Sequence, residues 1–220
     1  MSVVAAYLHP DHVSHSFMDS MWRVAMYEAE RGRSFERFAV RSGPMTIPEA
    51  RNLAVATFLD TDAEYLWCVD SDMGFADDAL ERLRAECGPA APVVGAFCLG
   101  QFSGEPDGMG GFKRSAVATL YQWNDRGGLT LDPNATFPEN EMVRVGGTGA
   151  ACLIVHRSVL ERMQDVFGRH RWFTRIVKDN GGTTVGEDLS FCYRLHEMGV
   201  PIFVHTGIRT THHKSVYLGQ

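Results

Sequence analysis

The chain has 220 residues, of which 45% are hydrophobic, and 27 acidic against 21 basic side chains give a formal net charge of −6; this is the composition of one globular domain. Its apolar runs are far shorter than the roughly 20 residues of a membrane span, and its 22 glycines and nine prolines gather in turn-like stretches rather than repeats. These features exclude membrane-spanning, collagen-like and disordered classes, and the acidic balance argues against a general polyanion-binding surface.

The first residues lack the basic start and apolar core of a secretory signal, and the five cysteines are an odd number without close pairs. A cytoplasmic protein with reduced, buried thiols and no integral membrane contact is expected. Val3 to Leu8 reads as a first strand and His9-Pro10-Asp11 as a turn. Phe17, Met21, Val24, Ala25 and Ala29 then recur at helical spacing until Gly32. Phe35 to Val40 is a second strand. Pro48 suits the first turn of a helix whose buried stripe is Ala50, Leu53, Ala54, Thr57 and Phe58, and Tyr65 to Val69 is a third strand. After Asp70-Ser71-Asp72, a helix is expected from Ala76 to Glu86 with Asp77 and Asp78 at its positive end, followed by a fourth strand from Pro92 to Phe97.

Leu99 to Gly111 is glycine-rich and aperiodic, which predicts a mobile loop over a site. Val117 to Trp123 and Met142 to Val145 read as shorter strands. Gly146-Gly147-Thr148-Gly149 leads into the apolar run Ala150 to Val155, a helix from Ser158 to Val166, and a helix from Glu187 to Met198 capped by Gly199. Ile202 to His205 is the last strand. Strands alternating with helices predict a single α/β domain over 1–220 with a mostly parallel central sheet.

Two carboxylates one residue apart at the end of a buried strand point the same way, so both can reach a hard cation that also holds a diphosphate. Asp70 and Asp72 meet that description, although aspartates also commonly end strands and cap helices. Thr210-Thr211-His212-His213-Lys214 follows the last strand and offers imidazole and ammonium groups, or a polar surface tail.

Ile47-Pro48-Glu49-Ala50-Arg51-Asn52-Leu53-Ala54 followed by Tyr65-Leu66-Trp67-Cys68-Val69-Asp70-Ser71-Asp72-Met73 resembles the donor half of glycosyltransferases with the GT-A fold, most closely the compact family 2-like members. The Gly146 to Gly149 turn, Trp172-Phe173, and Gly186-Glu187-Asp188-Leu189-Ser190-Phe191 agree with it in order. The resemblance implies a Rossmann-like nucleotide-diphospho-sugar transferase fold, with a donor half over about 1–98 and an acceptor and catalytic half over about 99–220. It further implies a nucleotide-sugar donor, a UDP-sugar first, with Mn2+ or Mg2+ held by Asp70, Asp72 and His212. Pro10, Arg51, Ser71 and Lys214 would line the donor site, and Asp188 with Glu187 would supply the base that takes the acceptor hydroxyl's proton. Gly147, Thr148, Arg171, Trp172 and Phe173 would form the acceptor side. In the first turn, His9-Pro10 replaces the Pro-Thr-like pair often seen in the family.

The acceptor stays open between a saccharide or other small hydroxyl compound and DNA. Compact bacteriophage enzymes that this chain resembles in motifs and length place sugars on hydroxymethylpyrimidines in DNA. Arg169 to Lys178 interleaves cations with two aromatic rings, which suits a flipped base or an anchored surface loop. A non-catalytic nucleotide-sugar binder is a further alternative. A nucleotidyltransferase fits less well because His9-Pro10-Asp11 is not a glycine- and basic-rich phosphate loop. An aspartyl phosphatase would place Thr or Val where Gly74 stands.

Overall fold

The computed structural model describes residues 2–106, 112–177 and 184–214. In chain order the first half comprises β1 (Val3–His9), α1 (His15–Glu30), β2 (Glu36–Arg41), α2 (Ile47–Leu59), β3 (Tyr65–Asp70), β4 (Met73–Phe75), α3 (Ala79–Glu86) and β5 (Val93–Phe97). The second half adds β6 (Leu99–Pro106), β7 (Phe112–Ala118), β8 (Leu120–Trp123), β9 (Leu129–Leu131), β10 (Met142–Val145), β11 (Gly147–Thr148), β12 (Cys152–His156), α4 (Arg157–Phe167), α5 (Glu187–Glu197) and β13 (Ile202–His212).

The central sheet has the order β10-β13-β5-β12-β3-β1-β2. β2, β1, β3, β5 and β13 run the same way, whereas β12 and β10 run against them. The expected mostly parallel α/β sheet is therefore present. Alternation along β1 sends Val4, Ala6 and Leu8 to the α2 side, where Ala50, Ala54 and Phe58 are buried. It sends Val3 and Ala5 to the α1 side, against Phe17, Met21 and Val24. Each fully buried large apolar side chain contributes about 1.5–3 kcal/mol, so this double-sided burial fixes the register of the strand ends that carry the site.

Local chemistry sets the helix starts. Thr46 and Glu49 form a reciprocal capping box ahead of Pro48 at the start of α2, and the Ser14 hydroxyl accepts from the Phe17 N–H at the start of α1. The third helix begins at Ala79 rather than Ala76, with Asp78 as an N-cap that makes no side-chain hydrogen bond.

Four expectations are corrected by tertiary structure. Leu99 to Pro106 is not a loop but a strand paired antiparallel with β7; residues 107–111 of the expected loop lie outside the described residues. The apolar stretch 117–123 is divided at Thr119, whose N–H and hydroxyl both bond to the Cys98 carbonyl. In α1 and α2, Ala25, Ala29, Leu53 and Thr57 face solvent, because Glu28 and Asn52 take up buried positions instead. Finally, β13 continues past an irregularity between His205 and Arg209 and pairs its far end with β4, placing His212 opposite Met73 and Thr211 opposite Gly74. A Cβ on Gly74 would lie 2.5 Å from the Thr211 hydroxyl oxygen and 3.1 Å from the Ser16 Cβ, so this crossing of β4, β13 and α1 requires glycine.

Candidate functional site

Asp70 is the last residue of β3, and its N–H donates to the Ala151 carbonyl at 2.9 Å. The turn after it is clamped from both sides. The Ser14 N–H donates to the Ser71 carbonyl at 2.9 Å, and the His213 N–H donates to the Asp72 carbonyl at 2.8 Å. This clamp brings the start of α1 and the end of β13 onto the Asp-Ser-Asp segment.

Asp72 Oδ2 lies 3.1 Å from His212 Nε2 and accepts from Lys214 Nζ at 2.8 Å. Burial opposes ionisation of Asp72, but the hydrogen bonds from His212 and Lys214 outweigh it and bring the pKa down to about 2. His212 is raised, chiefly by its bond to Asp72. Its Nδ1 faces the Leu99 carbonyl at 2.8 Å, which can only accept, so Nδ1 donates there. A metal-binding histidine is held in just this way, with the outer ring nitrogen on a carbonyl and the inner one beside a carboxylate. Asp72 and His212 thus fit a divalent cation of the Mn2+ or Mg2+ class, given further oxygens from a diphosphate.

Asp70 is differently occupied. Its Oδ1 accepts from Arg51 Nη2 at 3.0 Å, and Arg51 Nε lies 3.2 Å from Asp188 Oδ1. Arg51 is only 4% exposed, with its guanidinium 5.5 Å from the Phe173 ring centre. Burial works against its charge, but the two carboxylates outweigh that and raise its pKa. The resemblance implies that Arg51 reaches toward nucleotide or phosphate; in the structure its guanidinium is buried between Asp70 at the end of β3 and Asp188 at the start of α5. The two aspartates of the motif therefore have separate partners, and among the described residues no three His, Cys, Asp or Glu side chains gather around one cation position.

Asp188 stands in the first turn of α5 beside Glu187. Its Oδ1 is occluded while 28% of its side chain remains open. Burial, with Asp70 and Glu187 nearby, raises its pKa to about 6 against the lowering effect of Arg51 and a backbone hydrogen bond from Ala150. Among the described residues, Arg51 Nε and Nη1, Asp188 Oδ1 and Thr148 Oγ1, and in the core between the sheet and α1 also Trp67 Nε1, are buried without an aligned hydrogen-bond partner. Such unsatisfied groups are costly and mark places where structure has been reserved for something other than stability.

No protein-family model matches the chain, and no curated protein sequence does either. Solved structures do. The crystal structure of A197 from STIV is 15% identical, with a TM-score of 0.56 over 98% of this chain and 87% of that one. A Drosophila β-1,4-galactosyltransferase 7 mutant, in complex with manganese, UDP-Gal and xylobiose, is 10% identical, with a TM-score of 0.51 over 98% of this chain and 72% of that one. The fold is GT-A. A glycosyltransferase involved in the glycosylation of the major capsid of PBCV-1 is also similar, at 12% identity and a TM-score of 0.48 over 94% and 83% of the two chains.

On this GT-A frame, Pro10, Ser71, Asp72 and Lys214 converge on one cavity of about 480 Å3. His12, His15 and His213 line it too. His12 and His15 are near the expected nucleotide mouth in sequence, but their spacing alone carries no signal that they share a wall with Lys214. Gly147 and Thr148 form β11, packed on α5: a Cβ on Gly147 would meet Cys192 at 3.2 Å, and Cys192 Sγ donates to the Thr148 carbonyl at 3.4 Å.

Trp172 and Phe173 are corrected from acceptor contacts to core residues. Trp172 is fully buried and donates from Nε1 to the Leu160 carbonyl, and Phe173 is 1% exposed and stacks on Phe191 at 4.5 Å. Neither ring can stack on an acceptor. Arg171 is exposed, Arg169 pairs with Asp60 and Arg175 with Glu187, and Lys178 lies outside the described residues. Asn52 is the residue that sequence reasoning missed. Its Oδ1 accepts from the Phe173 N–H and its Nδ2 donates to Thr174, tying the aromatic segment to α2 beside Arg51.

Proposed function

We propose that the chain is a metal-dependent glycosyltransferase that moves a sugar from a nucleoside diphosphate donor, a UDP-sugar first, to a hydroxyl acceptor. The observation that carries this reading is the division of labour among the carboxylates. Asp72 is held strongly ionised beside His212 and Lys214 at a cavity, whereas Asp188, tied through Arg51 to Asp70 at the other end of the Asp-Ser-Asp segment, is partly open and has its pKa raised to about 6. The first environment suits the departing diphosphate and the second suits proton acceptance from an attacking hydroxyl.

A cation held by Asp72 and His212, when bound, supplies charge stabilisation for the leaving nucleoside diphosphate. Lys214 adds positive charge around the phosphates, the histidines of the cavity offer ring nitrogens for hydrogen bonding, and Arg51 orients Asp70 and Asp188. Asp188, ionised above about pH 6, takes the acceptor proton. The galactosyltransferase complex with manganese and UDP-Gal supports the choice of UDP and metal.

A saccharide or other small hydroxyl compound is the favoured acceptor. A DNA acceptor bearing hydroxymethylpyrimidine would rely on Arg171 without the Trp172 and Phe173 rings, which are buried. The deciding experiment is a screen of nucleotide sugars, with and without Mn2+, for protection against thermal unfolding and for sugar release. A hundredfold excess of ligand over its Kd adds about 2.7 kcal/mol. Metal-dependent protection with turnover supports the transferase, protection without turnover supports a non-catalytic binder, and the identified donor can then be offered to saccharides and to hydroxymethylated DNA.

A further inference from the structure

Helix α1 carries one apolar stripe more than its own core uses. Phe17, Met21 and Val24 are buried against the sheet, which is the single face a surface helix needs. Beside them, Met18, Trp22, Ala25 and Ala29 follow at intervals of four, three and four residues and face solvent. Met18 is 56% exposed and Trp22 68%. This spacing is that of a helix-pairing seam. All four residues line one side of a groove of about 490 Å3, whose other side is formed by Tyr7, Phe35 and Arg37 next to the open edge of β2.

The seam has its bulky residues in its first half and its small residues in its second. Turned end for end, it complements itself. In an antiparallel pairing centred between residues 23 and 24, Met18 of one copy meets Ala29 of the other and Trp22 meets Ala25, twice over by symmetry, so that each indole enters the neighbouring groove. A two-fold interface demands this kind of self-complementarity. On the helix itself the charged flank is already paired, Asp19 with Arg23 at 3.0 Å, and Arg37 on the far wall of the groove is exposed. A membrane-surface helix would carry a strongly basic polar face, whereas Asp19 and Glu30 balance Arg23 and Arg31 here.

We propose that the chain forms a two-fold dimer through antiparallel packing of α1 on α1 of a second copy. The test is sedimentation velocity of the full chain from about 1 to 100 µM, a range that spans the affinities of modest interfaces. The wild type is expected to dimerise. Ala25→Glu, which sets a helix-compatible charge on the exposed seam, should give a monomer with an unchanged melting temperature. Ala25→Trp should weaken the dimer at least about tenfold by opposing indole to indole, and Trp22→Ala with Ala25→Trp should recover it by exchanging bulky and small positions.

A wild-type monomer at every concentration overturns the proposal, as does a dimer indifferent to Ala25→Glu. Failure of the exchanged pair to recover the dimer overturns the antiparallel register on which it rests. A monomer that binds vesicles of phosphatidylcholine and phosphatidylglycerol, and loses that binding on Ala25→Glu, gives the face to a membrane instead.

Discussion

Among the described residues, two buried arginines meet carboxylates in clusters built to opposite standards. Between α1 and α3, Glu28 is 1% exposed and accepts from Arg33 at 2.9 and 3.1 Å and from Arg84 at 3.1 and 3.3 Å. Glu81 accepts from Arg33 at 2.7 Å and from the Tyr27 hydroxyl at 2.5 Å. Both Glu28 oxygens are used. Under the site, Arg51 reaches Asp70 with one aligned hydrogen bond and Asp188 by proximity alone, leaving three of their buried polar atoms without aligned partners. A saturated cluster repays the desolvation of its charges and locks two helices together. An unsaturated one leaves two guanidinium donors and a carboxylate oxygen unmet, and on the function proposed above the chemistry belongs to Asp188 in this cluster rather than to Glu28.

Breaking each cluster should therefore give different losses. Asp188→Asn is expected to leave donor binding and the melting temperature nearly unchanged while lowering transfer by about 10²- to 10⁴-fold, the usual contribution of a positioned base. Titration of donor alongside single-turnover transfer checks it; near-normal transfer would remove Asp188 from that role. Glu28→Ala should do the reverse. Leaving Arg84 buried without its carboxylate costs about 3–5 kcal/mol, measured by urea unfolding, with donor affinity per folded molecule preserved.

Arg51→Met sharpens the contrast because it removes a charge from a cluster that was never saturated. The expected stability loss is about 1–3 kcal/mol, less than for Glu28→Ala, since two unmet donors leave with it. Its functional cost should exceed its structural one, as Asp70 and Asp188 are left facing each other's charge. Metal binding by Asp72 and His212 should persist. A stability loss as large as that of Glu28→Ala, with transfer unaffected, would make Arg51 a second structural strut.

Much of this was legible in the sequence where local rules act alone. The start of α2 around Pro48, the apolar run of β3 and the turn that follows it all read correctly because the residues that decide them are neighbours in the chain. Arg51 did not, because its burial depends on Phe173 and Asp188, more than a hundred residues away. Trp172 stayed open between an acceptor contact and a core anchor for a like reason. Its Nε1 is satisfied by the Leu160 carbonyl of α4, a partner that periodicity cannot reveal. The second half of β13 was missed because Gly207 interrupts the apolar run and the polar residues after it lack an alternating pattern. Burial of Ile208 and Thr210 and pairing with β4 nevertheless hold it extended, and that extension delivers His212 to Asp72.

The gentlest probe of the contrast is pH, because two carboxylates of the same site move in opposite directions. Asp188 is raised to about 6, so the folded state binds its proton more tightly than the unfolded chain does. Between the ordinary carboxylate range and about pH 6, stability from this group is greatest at the acid end and declines as pH rises. Asp72 is lowered to about 2, so its contribution is present above the ordinary range and is lost as pH falls toward 2. With metal saturating, so that His212 is held deprotonated, activity should follow ionised Asp188, with kcat/KM rising through about pH 6 and falling about tenfold from its plateau by pH 5. Arg51→Lys, which keeps a charge but not the fork that reaches both aspartates, should move that limb upward in pH while leaving the acid-unfolding branch governed by Asp72 in place. A limb that stays fixed in Arg51→Lys would show that Arg51 does not set the proton affinity of Asp188, and the two clusters would then differ in saturation without differing in purpose.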